Sequence, residues 1–116
     1  MGVALIVLAV LLGLAAGGSA MQKLRRAPSV VAAMHAVGVT DSRIPLLALL
    51  EILGVIGLII GIWIPWVGLA AATGLALYFL GAVIAHVRVR SAAKEAMPAV
   101  VILLIALATL VLELAR

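Results

Sequence analysis

Residues 46–63 read LLALLEILGVIGLIIGIW, a run that is apolar at every position except Glu51. An α-helix rises about 1.5 Å per residue, so roughly 20 such residues cross a hydrocarbon core about 30 Å thick. Working outward, three further runs have the same character. The four lie at about 2–21, 44–63, 66–87 and 97–115. The expected fold is therefore an all-α membrane protein, a four-transmembrane-helix bundle forming one domain over residues 1–116.

Composition points the same way. Of 116 residues 68% are hydrophobic and 10% charged, and the mean hydropathy is +1.47. Soluble domains run near half apolar and a quarter charged. So short a chain cannot hide this much apolar surface from water, and its solvent is the lipid bilayer. The net charge of +4 suits topology and anionic lipid better than nucleic acid, since the basic loops are short and lack aromatics. With no cysteine there is no thiol chemistry. Two histidines and scattered acids match no metal-ligand spacing, and no nucleotide-binding or nucleophile-elbow motif occurs. No metal or cofactor is expected.

The charges orient the bundle. Lys23, Arg25, Arg26 and Arg43 flank the first connection, and Arg88, Arg90 and Lys94 lie in the third. Four crossings put these connections on one side, so the positive-inside rule sends the basic loops to the cytoplasm and both termini outside. That is the topology expected of a multi-pass membrane protein with both termini outside. Trp63-Ile64-Pro65-Trp66 separates spans two and three as a tight hairpin with an interfacial aromatic anchor. A cleaved signal peptide ending at Gly18-Ser19-Ala20 is the competing reading of the first run, and the missing basic n-region argues against it. Within the first connection, residues 28–37 predict a short interfacial helix, with Pro28 in its first turn and Gly38 past its end. Thr40, Asp41 and Ser42 are N-cap candidates for the second span.

Glu51 is the exception that needs a reason. An acid at mid-membrane costs about 2.5–3.5 kcal/mol on insertion scales, so it should be paired, hydrogen-bonded or protonated. It lies about 10 Å inside the cytoplasmic boundary, and helical side chains tilt toward the helix N-terminus. Lys23 ends the first span and His86 the third, both running toward the cytoplasm, so both lean inward to the depth of Glu51. Gly54, Leu58 and Gly61 share the Glu51 face, which suggests a partly bare stripe. Phe79 and Ala82 share the His86 face, with Tyr78 at its flank. Together these residues outline an apolar slot for a lipophilic molecule. Plainer readings stand beside this one. Glu51 can be a structural lock, His86 an interfacial residue and Lys23 a topology marker. His35 decorates the connecting helix, and Glu113, near Arg116, reads as a solvated terminal charge. Glycines 13 and 17, and 57 and 61, form GxxxG pairs, read first as intramolecular packing and second as a homo-oligomer face.

The order of motifs resembles the DoxX-like family of small four-helix bacterial membrane proteins. Gly17-Gly18 is followed by Lys23-Leu24. The second span reads Pro45…Glu51-x-x-Gly54-x-x-Gly57-Leu58-x-x-Gly61, and the third ends Gly81-Ala82-Val83-x-x-His86-x-Arg88. The resemblance covers nearly the whole chain. It implies that Lys23, Glu51, Gly54, Gly57, Gly61 and His86 matter to the family's architecture or site. It also implies a link to quinone-coupled sulfur oxidation, in which a small membrane subunit accompanies a redox enzyme. Most members have no assigned reaction.

Two functions follow as expectations. The first is a cytoplasm-facing intramembrane pocket for a quinone or other lipophilic small molecule. There Glu51 and His86 would act as an acid–base pair, and Lys23, Gly54, Leu58, Tyr78, Phe79 and Ala82 would bind. Isomerisation, epoxide opening or cyclisation would suit such a pair. The alternative is a non-catalytic accessory subunit of a quinone-linked redox complex.

Overall fold

A computed structural model describes residues 2–90 and 93–116. Met1, Ser91 and Ala92 lie outside it, as does the side chain of Lys94 from the third connection. The elements are α1 (Val3–Leu24), α2 (Pro28–Ala36), a 3₁₀ turn (Asp41–Arg43), α3 (Ile44–Ile60), α4 (Pro65–Arg88) and α5 (Ala93–Ala115). Four of these helices are long and apolar enough to cross a membrane, and α2 is the expected short helix between the first two. The bundle measures 40 × 23 × 17 Å, enough to span a hydrocarbon core about 30 Å thick.

The four long helices form a ring in the order α1, α3, α4, α5, with α5 closing back onto α1. Neighbours in this ring run antiparallel. The core is built from small and medium residues, among them Leu12, Ala16, Ala72, Leu75, Phe79 and Ala106. Alanine at the contacts lets backbones approach, which matters where lipid removes the hydrophobic drive between helices. Large apolar side chains such as Leu46, Leu49, Leu53, Leu104 and Val111 are exposed, the arrangement a lipid solvent favours.

The α3–α4 hairpin shows how glycine sets the spacing. A Cβ on Gly57 would stand 2.8 Å from the Ala71 Cβ, and one on Gly61 would collide with the Gly68 backbone. The second GxxxG pair is thus packed within the chain. Of the first pair, Gly13 only brushes Val55 and Gly17 faces open space. Trp63 and Trp66 are exposed on either side of the turn.

In the first connection Gly38 takes a positive φ of 86° past the end of α2, a left-handed conformation in which a Cβ would be strained. The expected capping role of Thr40, Asp41 and Ser42 is not what these residues do. Arg43 precedes α3 without a side-chain cap. Asp41 instead faces the connecting segment, where its Oδ1 accepts from Arg26 Nη2 at 3.0 Å and His35 Nε2 at 2.6 Å. Those two side chains outcompete the backbone amides for the carboxylate.

Candidate functional site

Glu51 is fully buried, with 0% of its surface exposed. It sits two turns into α3, where the ring places α1 on one side and α4 on the other. From α1, Lys23 leans back into the bundle and brings its Nζ to 2.7 Å from Glu51 Oε1. From α4, the Tyr78 hydroxyl donates to the same oxygen at 3.1 Å. Lys23 also donates to Ser19 Oγ, one turn back on its own helix, at 2.8 Å. One carboxylate oxygen therefore ties three helices together, while Oε2 accepts no hydrogen bond among the described residues. Lys23 is 6% exposed, a buried ion-pair partner and not a snorkelling marker.

Beside this network lies a cavity of about 1090 Å³. It is bounded by α1 from Leu14 to Lys23, α4 from Leu77 to His86, the first part of α5, and α2 above. Leu14 and Gln22 stand eight residues apart on α1, so the cavity runs about 12 Å along the helix. Its deep end is apolar, with Phe79 and Ile102, and its polar groups Ser19, Gln22, Lys23, Ser29 and His86 gather at the basic end. The Tyr78 and Phe79 rings meet edge to face, 4.9 Å between centroids, which holds the Tyr78 hydroxyl toward Glu51. The volume lies just above the range of about 300–1,000 Å³ usual for small-molecule sites.

The residues singled out from sequence therefore divide. Lys23, Tyr78, Phe79, Ala82 and His86 all line the cavity. Glu51 touches two wall residues but is itself behind the wall. Gly54 and Leu58 correct the expected bare stripe. A Cβ on Gly54 would stand 2.5 Å from Leu75 Cδ2, and Leu58 belongs to the core. The space left by the missing side chain is filled by α4. Sequence reasoning missed Ser19 and the α2 roof of Val30, Ala33 and Met34. Ser19 had a signal, since it lies four residues before Lys23 on the same helical face. The α2 residues had none beyond an apolar stretch. His35, as expected, lies on the exposed side of that helix.

At the opposite end Glu113 corrects another expectation. It is 7% exposed, not solvated. Its carboxylate lies over Gly68, where a Cβ would stand 2.7 Å from Oε1, and Arg116 Nε approaches Oε2 at 3.4 Å. Arg116 Nη2 also donates to the Gly61 carbonyl at 2.6 Å. A glycine opening on α4 gives an acid from α5 room to bury itself.

Among the described residues no cluster of histidine and acidic side chains could hold a metal ion. Compared with known protein families, the model of the DoxX-like family matches residues 7–108. Comparisons with curated proteins and with solved structures gave no match.

Proposed function

The chain belongs to the DoxX-like family and is a multi-pass membrane protein, and on that premise we propose that it binds a lipophilic small molecule inside the bundle, at the end carrying the basic connections. The positive-inside rule supports a cytoplasmic placement of that end, and the resemblance to small bacterial membrane proteins supports a bacterial inner membrane. The observation that carries this reading is the cavity itself: about 1090 Å³, apolar at depth, with Lys23, Tyr78 and His86 in its wall. The space is half open at its edge, so a lipophilic molecule can enter it without the bundle coming apart. The ionisable groups at its rim suit proton exchange with a bound molecule, as isomerisation, epoxide opening or cyclisation requires.

Native mass spectrometry of the protein released from lipid nanodiscs tests the proposal. Wild type is expected to carry a bound mass beyond lipid. Ala82→Phe, or Gly18→Leu, whose Cβ would meet no atom within 4 Å, narrows the cavity and should remove that mass from a folded protein. A bound mass unaffected by both substitutions would place the ligand elsewhere. No bound mass on folded wild type would end the reading.

A second reading, an accessory subunit of a quinone-linked redox complex, draws support from the Lys23–Glu51–Tyr78 network, which also suits a purely structural lock. Recovery of a second protein at fixed stoichiometry, with the cavity filled by lipid alone, is its expected signature.

A further inference from the structure

Resting on the pocket reading, we infer that Lys23 is the group that receives the ligand, that Glu51 is a positioning residue behind it, and that the ligand carries a neutral carbonyl oxygen at its polar end. Glu51 has no exposed surface, so no ligand in the cavity reaches it. Lys23 does line the cavity. Its ammonium has three donors, and two are taken, by Ser19 Oγ and Glu51 Oε1. The third has no further acceptor among the described residues, which leaves it for a molecule in the cavity that Lys23 lines. Tyr78 gives its hydroxyl proton to Glu51, so toward the ligand its oxygen offers lone pairs. Among the described residues that touch Glu51, the side of the network facing the cavity therefore presents the Lys23 ammonium, while the Glu51 carboxylate stays behind it.

The charge balance selects among acceptors. Glu51 neutralises Lys23 at 2.7 Å, so an anionic ligand would be stripped of water to meet a cation already paired, with a second carboxylate close behind. A neutral carbonyl takes the same hydrogen bond and leaves no charge to desolvate. The ligand's apolar body then points down the cavity toward Leu14, Phe79 and Ile102, about 12 Å by the helical rise.

Benzophenone is a neutral diaryl ketone that labels C–H groups beside its carbonyl under ultraviolet light, which makes it a suitable probe. Protein in phosphatidylcholine nanodiscs is irradiated with it and the adducts are mapped by peptide mass spectrometry. Adducts are expected on α1 at residues 18–23 and on α4 at residues 78–82. A tenfold excess of dicyclohexyl ketone should cut them at least fivefold, whereas dicyclohexylmethane, the same shape without the oxygen, should not. Lys23→Met should lower labelling about as much and Lys23→Arg restore it. Because Lys23→Met leaves Glu51 buried without a cation, the double variant Lys23→Met/Glu51→Leu is read as well. With both charges replaced it should fold, and the two competitors should become equivalent. Equal competition in wild type, or full competitor discrimination in the folded double variant, would overturn the inference while leaving the pocket standing. Adducts confined to lipid-facing residues such as Leu49 and Leu53 would remove the pocket and the inference with it.

Discussion

The bundle buries a carboxylate near each end, and the two are housed differently. Glu51 is held by groups from two other helices, Lys23 of α1 and Tyr78 of α4, next to a large cavity. Glu113 lies flat on the backbone at Gly68, with its nearest cation three residues along its own helix. Both are expensive groups to place in hydrocarbon. At Glu113 the compensation is packing on the Gly68 backbone and an adjacent arginine, with no cavity beside it, although its Oε2, like that of Glu51, accepts no hydrogen bond among the described residues. At Glu51 the compensation comes from side chains that also form the wall of an open volume. A buried acid is therefore weak evidence for a site, and the space beside its partners is the stronger evidence.

The sharpest way to break this comparison is at Lys23. Removing one member of a buried ion pair costs about 3–5 kcal/mol, because the survivor is left charged and dry. Lys23→Met should therefore lower unfolding stability in detergent by roughly that amount. Replacing both charges together, as in Lys23→Met/Glu51→Leu, should bring stability back to within about 1 kcal/mol of wild type. A double variant as unstable as the single one would mean that the pair supplies stability beyond its own neutralisation.

The other end is tested through its glycines. Gly61→Ala sets a Cβ against the Gly68 backbone, which no rotamer change relieves. Overpacking of this kind costs about 1–3 kcal/mol, and a backbone obstacle belongs at the top of that range. Gly68→Ala meets the end of the Glu113 side chain instead. That carboxylate can shift, and alanine recovers up to about 1 kcal/mol of helix propensity, so the net loss should be small. Equilibrium unfolding of the two variants side by side should rank Gly61→Ala well below Gly68→Ala. The reverse order would mean that Glu113, and not the hairpin backbone, governs this end.

Part of this arrangement is legible in the order of residues alone. Long apolar runs define the helices, and antiparallel direction with the fixed tilt of Cβ brings Lys23 and Glu51 to one depth. What faces each glycine is not legible in that way. Gly54 reads as an empty face, yet Leu75 of α4 fills it, and nothing in the Gly54 sequence neighbourhood marks that. Glu113 looks terminal because it is near Arg116, but its burial is decided by a glycine 45 residues earlier. The roof over the cavity is hidden for a similar reason. No residue of α2 is buried, so neither its hydrophobic pattern nor its caps say which surface it covers.

That roof gives the smallest expected effect, and it sharpens the contrast between the ends once more. Each end ties down a peripheral segment with an arginine. Arg116 reaches the Gly61 carbonyl with a mostly buried side chain, whereas Arg26 and His35 grip an Asp41 that is open to water. Exposed pairs are screened and pay side-chain entropy to hold one geometry, while a charged hydrogen bond to a sheltered carbonyl is worth about 1.5–3 kcal/mol. Arg116→Ala should accordingly lower global stability by about 2 kcal/mol, and Asp41→Asn should leave the thermal midpoint unmoved within error. The Asp41 substitution should show instead in local opening, as faster amide exchange over residues 28–36 with α1 and α4 unchanged, because α2 has no buried side chain to hold it once the clasp is loosened. If exchange in α2 stayed at its wild-type rate, contact with α1 and the cavity rim would be holding the roof, and the exposed clasp would be incidental.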